Sequence, residues 1–381
     1  MVFSNKPLRI IIVFLIACLP LFGAANTVSD TTKTTTETAV VSKEKVSEPA
    51  DETAKIREQI EEVKNHHVLD GHEFSIFEDK ESGAHYGFPL PIILWDNGIQ
   101  VFSSSKFNHG EAVAESNGNF YKLHHERIYK TDASGTLTGD EHHPTNVAPL
   151  DFSITKSVLS IMVVALLMFL LFSGLAKSFP KNGGISTGAG RFFEPIVLFV
   201  RDEIAIPNIG EKHYKKYMSH LLTVFFFIWF LNIFGLTPLG INVTGNIAVT
   251  FGLAVVTFLI TNLSANRNYW GHIFWMPGVP LPMKIILAPI ELMGLIIKPF
   301  ALMIRLYANM FAGHFVLMSL IGLMFIFKSW IGSSLSFVLS FAISMIEILV
   351  ALLQAYIFTI LSALYFGSAV QEHHHEEEAH H

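Results

Sequence analysis

The chain has 381 residues, of which 51% are hydrophobic and only 15% are charged, where soluble domains carry roughly 25% charged residues. Its net charge of -6 gives no reason to expect nucleic-acid binding, and its single cysteine, Cys18, excludes an intrachain disulfide. Nearly all of the low-charge sequence follows Phe152, so we predict a polar N-terminal part and a membrane part beyond it.

The first 25 residues are typical of a secretory signal peptide. Lys6 and Arg9 precede an apolar run that extends to Leu21, and small residues follow at positions 23–25. A lipidation site at Cys18 and an uncleaved anchor helix are the alternatives. The apolar run continues past Cys18 and is short for a bilayer, which favours the signal peptide. A cleaved leader would place the next part of the chain outside the cytoplasmic membrane.

Two regions of different composition follow the leader. Residues 26–65 are rich in Thr, Ser, Lys and Glu, which predicts a flexible tether. Residues 66–150 contain short aromatic and apolar runs, and Asp96-Asn97-Gly98 between two of them is a hairpin signal. We therefore predict a small β-rich extracytoplasmic domain. Its many histidines match no tight ligand spacing, so solvated or hydrogen-bonded histidines are favoured over a metal site.

The sequence from 151 to 370 predicts a mostly α-helical polytopic membrane domain with five crossing helices. A crossing needs roughly 20 apolar residues. The last two segments are far longer than that, so they need strong tilt or partial re-entry. The predicted crossings lie between Lys156 and Lys177 and near 218–236, 246–264, 283–327 and 333–368.

A cluster of Lys and Arg between Lys177 and Lys216 marks the cytoplasmic side of this domain. Apolar residues recur inside it at helical spacing, which predicts an amphipathic helix on the membrane surface. These residues are Phe193, Ile196, Val197, Val200 and Ile204. Five crossings from an external start would place the C-terminus in the cytoplasm. Residues 371–381 are then a polar cytoplasmic tail, which we favour over a metal-binding segment.

Ionisable residues lie inside the two long segments, where an arginine or carboxylate costs about 2.5–3.5 kcal/mol on the lenient insertion scale. Glu291, Lys298 and Arg305 are seven residues apart, so at 100° per residue they form one slowly drifting stripe. Asn309 stays near that stripe, whereas His314, nine residues after Arg305, falls on the opposite face. Lys298 and Glu291 could also pair with each other or snorkel to the interface.

The last segment carries Glu347 and Gln354, which are again seven residues apart and share one helix face. A fixed cation on one helix beside a carboxylate and an amide on the other suits the passage of protons. A secondary transporter would favour internal repeats and paired broken helices, and neither is clear. Simple anchors for an external binding or assembly module would not need such residues at depth.

Two motifs make the resemblance to a family specific. The segment Arg305–His314 resembles the arginine motif of F-type ATP synthase subunit a, and Leu353–Phe358 resembles its glutamine motif. The resemblance covers about residues 150–370. Four further features match the same family: Pro289–Glu291, Lys298–Pro299, Asn232 before a Leu-Thr-Pro break, and Asn246.

The resemblance implies that Arg305 faces the carboxylate of each rotor subunit in turn and blocks a direct proton leak. It also implies a set of residues that line or support a half-channel open to the outside: Glu291, His314, Glu347 and Gln354. Asn309 would lie beside Arg305. Further candidates for the channel lining are Asn232, Asn246 and Lys298. The implied partners are the rotor c-ring, peripheral-stalk b subunits, other ATP synthase subunits and the lipid bilayer of a bacterial inner membrane.

No cofactor or metal is expected in this chain. It contains no Gly-x-x-x-x-Gly-Lys-Ser/Thr motif, so nucleotide chemistry would belong to partner subunits.

One departure from the family is informative: the best-known members carry Glu at the position of His314 and His at that of Glu347. The exchange suggests that the two act together as a proton relay, and it favours protons over sodium while leaving sodium open.

Overall fold

The computed structural model describes residues 70–79, 84–140, 143–181, 188–237, 242–275, 280–326 and 330–370. Most of what was predicted at the two ends falls outside these ranges: the signal peptide (1–25), the tether (26–65) and the polar tail (371–381).

The N-terminal part is a domain of short antiparallel strands, as predicted. Two three-stranded sheets, in the orders β10-β3-β4 and β5-β6-β7, carry its core, and two strand pairs, β1-β2 and β8-β9, flank them. The strands are β1 (Glu73–Asp79), β2 (Ala84–Pro89), β3 (Pro91–Trp95), β4 (Ile99–Ser103), β5 (Val113–Ser116), β6 (Asn119–His124), β7 (Arg127–Thr131), β8 (Gly139–Asp140), β9 (His143–Pro144) and β10 (Leu150–Asp151).

The turn between β3 and β4 confirms the predicted hairpin. Trp95 pairs with Ile99, and Asn97 and Gly98 both have positive φ, 51° and 130°. Asn and Gly adopt that region at little cost, which is why this tripeptide signals a turn. Alternation along β3 buries Ile92 and Leu94 in the domain core and leaves Trp95 exposed.

The C-terminal part is helical and contains five helices long and apolar enough to cross a membrane, which confirms the predicted fold. Each bound lies within about four residues of its prediction, the usual uncertainty of helix ends. The helices are α1 (Lys156–Lys181), α2 (Ala189–Phe199), α3 (Ile206–Ile209), α4 (Tyr214–Gly235), α5 (Ile247–Ser264), α6 (Arg267–Phe274), α7 (Leu281–Ile326) and α8 (Trp330–Val370). The five candidate spans are α1, α4, α5, α7 and α8.

The amphipathic segment is helical, but it is not one regular α-helix. A π-helical turn, Val200–Ala205, connects α2 to α3. A π turn adds a residue to the winding and shifts every later side chain around the axis. Val200 and Ile204 are both fully buried in this turn, whereas the neighbouring Arg201 and Asp202 pair at the surface, with 2.6 Å between Nε and Oδ1.

The helical core is centred on α4, whose buried face is strongly aromatic. Phe226 is fully buried, and Tyr217 stacks on Phe366 of α8 with 4.6 Å between ring centroids. By contrast, only 11% of the residues in the most apolar stretch of α7 are buried within this chain, and the share is the same for α8. For α4 it is 56%. The two longest helices therefore present most of their apolar surface to something other than this chain.

Candidate functional site

Arg305 lies on the outward face of α7. Arg305 and Asn309, one turn later, are both exposed, and Ile304 beside them is 53% exposed. Leu306 and Met310 turn to the other side and are buried. Among the described residues, none forms an ion pair with the Arg305 guanidinium. The permanent charge of Arg305 thus faces away from the chain that carries it.

His314 lies on the opposite, buried face of the same helix. It is 4% exposed, whereas Arg305 is exposed nine residues earlier. Nine residues at 100° each amount to half a turn, so the arrangement follows directly from helix geometry. A charge that points outward and an imidazole that points inward are therefore fixed on one rigid element.

Glu347 of α8 meets α7 directly beside His314. Its carboxylate occupies the space in which a Cβ at Gly313 would lie. Both of its oxygens are buried, and neither has a hydrogen-bond partner among the described residues. A buried carboxylate without such a partner is costly inside a membrane segment, which makes Glu347 a candidate functional group.

Asn232 of α4 connects the turn after it to α8. It is fully buried; its Oδ1 accepts from Thr244 Oγ1 at 2.8 Å, and its Nδ2 donates to the backbone oxygen of Ala351 at 3.3 Å. Ala351 lies between Glu347 and Gln354 on α8, and Gln354 is 4% exposed. Asn232 thus reaches α8 at a residue that lies between Glu347 and Gln354 in the sequence.

Asn246 lies at the N-terminus of α5. Its Oδ1 accepts from the backbone N–H of Ala248 at 3.0 Å, which caps the helix. Its Nδ2 donates to Asp70 Oδ2 at 3.4 Å, so the side chain also reaches the β-rich domain.

Glu291 and Lys298 lie apart from these residues, near the start of α7. Glu291 precedes His314 by 23 residues, a separation of about 34 Å along a helix. Both side chains line a cavity of about 250 Å³ with α6 and the end of α8. Lys298 also places its Nζ 5.6 Å from the ring centroid of Tyr365. The cavity is lined by Asn268, Tyr269, His272, Ile273, Glu291, Leu295, Lys298 and Ser368.

The sequence did not single out two residues of this cavity, Tyr269 and His272 of the short helix α6. Burial, with the added charge of Glu291, raises the pKa of Tyr269. Nothing in the local pattern identifies α6 as lining this cavity, because its position there depends on packing against α7. His220 was also missed: it is buried in α4, with Nε2 3.4 Å from Thr257 Oγ1.

One histidine of the β-rich domain is part of an ion-pair cluster. His72 is 3% exposed, and its Nε2 lies 2.8 Å from Asp151 Oδ2 and its Nδ1 4.0 Å from Glu126 Oε2. Within the ranges described, no three His, Cys, Asp or Glu side chains are arranged to hold a metal ion.

Comparisons with known proteins divide the chain at the same boundary. A family model described as "ATP synthase A chain" matches residues 158–367. A second, described as "Domain of unknown function (DUF8433)", matches residues 63–152.

Proteins named as ATP synthase subunit a share about two fifths of their aligned residues with this chain. The one from Chloroherpeton thalassium is 43% identical over 239 residues, or 61% of this chain and 72% of the relative. The second form from Prosthecochloris aestuarii is 39% identical over 310 residues, or 77% and 94%. The relative from Anaeromyxobacter sp. is 41% identical over 264 residues, but this chain spans only 63% of its length.

Proposed function

The chain belongs to the ATP synthase A chain family. We propose that, as subunit a of an ATP synthase membrane sector, it forms two proton half-channels beside a rotor ring. The observation that carries the proposal is Arg305, an exposed charge on an apolar membrane helix with no carboxylate partner among the described residues. A charge in that place needs a partner from another subunit.

Arg305 acts as a fixed electrostatic barrier between the two half-channels. An arginine side chain stays protonated at physiological pH, so it does not readily pass a proton itself. A nearby positive charge favours the ionised form of a carboxylate. A protonated rotor carboxylate that approaches Arg305 therefore releases its proton to the exit path, passes ionised, and is reprotonated from the other side. Lysine would serve poorly there, because its charge is more strongly hydrated and its pKa shifts more easily.

The half-channel open to the outside is formed between α4, α7 and α8. Glu347 and His314 exchange the proton near the rotor, and Asn232 and Gln354 supply polar contacts next to them. The support is their common location: Glu347 lies against the residue before His314, and Asn232 bonds to α8 between Glu347 and Gln354.

The half-channel open to the cytoplasm is the cavity that Glu291 and Lys298 line with α6. Its distance of about 34 Å along α7 from His314 argues for a separate path. The orientation that this requires, with the β-rich domain outside and both Lys216 and the C-terminus inside a bacterial inner membrane, agrees with the basic cluster between α1 and α4.

The driving force fits a multi-step rotor. One charge that moves through 100 mV supplies about 2.3 kcal/mol, so several protons are needed for each ATP. The partners of the chain are other subunits of an ATP synthase. Among them we propose a rotor c-ring that carries membrane carboxylates and the b subunits of a peripheral stalk.

The test is Arg305→Ala in the assembled complex, reconstituted into vesicles. We expect ATP-driven proton pumping to be abolished and passive proton conductance to rise, because the barrier between the half-channels is removed. Arg201→Ala is the matched control: Arg201 is exposed and paired with Asp202, and such pairs contribute only about 0–1 kcal/mol. Normal pumping by an assembled Arg305→Ala complex would refute the proposal.

A further inference from the structure

The β-rich domain meets the membrane helices at five ionisable side chains, here called the junction cluster: Asp70, His72, Glu126, Asp151 and Lys156. Asp70 attaches the domain to α1. Its Oδ1 accepts from the backbone N–H of Ser157 at 3.0 Å, and its Oδ2 accepts from Thr155 Oγ1 at 2.9 Å. In addition, the backbone N–H of Lys156 donates to the oxygen of Gly71 at 2.9 Å.

Asp70 also reaches the N-terminus of α5, because its Oδ2 accepts from Asn246 Nδ2 at 3.4 Å. Two residues earlier, Thr244 bonds to Asn232, which in turn bonds to α8 at Ala351. A series of polar contacts therefore runs from the β-rich domain, past the turn between α4 and α5, to the helix that carries Glu347.

That turn contains a further buried polar group without an assigned role. Asn242 is 7% exposed; its Oδ1 accepts from the backbone N–H of Gly245 at 3.1 Å. Its Nδ2 is buried and has no hydrogen-bond partner among the described residues. Buried amide groups of this kind are normally satisfied, often by ordered water. Asn242 Nδ2 is therefore available to bind an ordered water at this end of the helices.

Carboxyl groups outnumber basic groups in the junction cluster. Burial lowers the pKa of His72, but hydrogen bonds and charge from Asp151 and Glu126 outweigh it and raise that pKa to about 9. The same contact with His72 outweighs burial at Asp151 and lowers its pKa. His72 is therefore positive and Asp151 negative at neutral pH. The cluster thus contains three carboxyl groups, those of Asp70, Glu126 and Asp151, against two basic groups, His72 and Lys156.

We propose that Asp70 and the junction cluster form the outer mouth of the external half-channel, so that the β-rich domain collects hydrated protons for it. This rests on the proposed function. Each helix N-terminus carries about half a positive charge, and α1 and α5 both begin at this mouth. Without a carboxylate between them, the two N-termini would repel a hydrated proton. Asp70 offsets their charge at the point where Asn246 begins the polar contacts that lead inward.

The test separates this role from simple helix capping. Asp70→Asn keeps a side-chain oxygen for the backbone N–H of Ser157 and removes the charge. Its amide nitrogen also replaces the oxygen that accepts from Thr155 and Asn246, so the salt dependence, rather than the rate alone, reports the loss of charge. We drive ATP synthesis by vesicles with an imposed proton gradient and vary the pH and the ionic strength on the side from which protons are taken up. For Asp70→Asn we expect the rate at low ionic strength and limiting proton concentration to fall up to about tenfold. The maximal rate at acid pH should be unchanged, and the salt dependence should weaken.

Asp132→Asn is the matched control, because Asp132 Oδ1 also accepts a backbone N–H, from Thr136 at 2.8 Å, but within a turn of the β-rich domain. Its pH and salt profiles should match the unmodified complex. An assembled Asp70→Asn complex with unchanged profiles would overturn the inference. It would leave the proposed function intact, which fails only if the unmodified complex does not pump or Arg305→Ala still pumps.

A second measurement covers the case in which Asp70→Asn does not assemble. Asn246→Cys places a thiol at the residue whose Nδ2 lies 3.4 Å from Asp70 Oδ2, in a complex that keeps Asp70. Membrane-impermeant thiosulfonates are added on the side of the membrane that carries the β-rich domain, and their rates of reaction with this thiol report the local charge. The parent complex, which lacks the new thiol, gives the background reaction of Cys18. We expect the cationic reagent to react faster than the anionic one, by up to about tenfold at low salt. Equal rates, or a faster anionic reagent, would overturn the inference.

Discussion

The carboxylate of Glu347 packs against a glycine on the facing helix. It lies where any Cβ at position 313 would be, and the residue that follows is the buried His314. Neither oxygen of Glu347 has a hydrogen-bond partner among the described residues. Under the proposed function, the requirement at this place is a neighbour that exchanges a proton with it. An acid on α8 and an imidazole on α7 meet that requirement, and so would the reverse order.

His314 and Glu347, whose residue types are exchanged relative to the best-known family members, lead to a prediction about their energetic coupling. We expect His314→Glu and Glu347→His each to impair proton pumping, because each leaves two acids or two imidazoles at the site. The double variant should retain more activity than either single change, with an interaction energy of about 0.5–3 kcal/mol. The measurement is the rate of ATP-driven proton pumping in vesicles, divided by the amount of assembled complex. A double variant no better than the worse single variant would contradict a coupled pair.

Single-residue geometry was predictable where it depends on one helix and not where it depends on two. The opposite orientations of Arg305 and His314 follow from nine residues at 100° each. The acceptor of Asn232 is Ala351, 119 residues away, and no local pattern reveals such a contact. For the same reason the sequence grouped Glu291 with Glu347, whereas the structure places Glu291 at the far end of α7 in the cavity with α6.

Helix α8 passes so close to α3 that one glycine determines their contact. At Gly367 a Cβ would occupy the position of the backbone oxygen of Asn208 in α3. Backbone atoms cannot move aside as a flexible side chain can, so α8 and α3 would have to separate. The contact connects the last crossing helix to the segment that contains the π turn.

Gly367→Ala should therefore destabilise the membrane domain by about 1–3 kcal/mol through overpacking. Gly174→Ala is the control, since a Cβ at that position of α1 meets nothing within 4 Å and alanine favours a helix by about 1 kcal/mol. The thermal midpoint of the detergent-solubilised complex measures both. Equal midpoints for the two variants would contradict the close approach of α8 to α3.

At the scale of elements, apolar length and charge placement were sufficient to predict the crossings, because a membrane helix is defined by its own composition. The π turn at Val200–Ala205 was not predicted. Its extra residue changes which side chains face the core, and only the packing of Val200 and Ile204 against α4 and α8 selects it. The length of α7, 46 residues or about 69 Å, still predicts strong tilt in a bilayer.

For the whole molecule, the two parts are joined by specific polar contacts rather than by a linker alone. Phe74 of β1 packs against the helical core, and Asp70 bonds to the N-termini of both α1 and α5. Composition predicted both parts. It did not predict the junction, because the partners of Asp70 lie 87 and 176 residues away.

The outward face of α7 must be covered by another subunit if Arg305 faces a rotor. Ile297 and Ile304 flank the charged residues on this face and are 55% and 53% exposed, whereas Leu302 is 2% exposed. A photoreactive amino acid at position 304 should therefore form an adduct with a small ring subunit in the assembled complex, and one at 302 should form none. Mass spectrometry of the adducts checks this. Adducts with lipid alone at position 304, in a complex that pumps protons, would mean that the rotor covers another face.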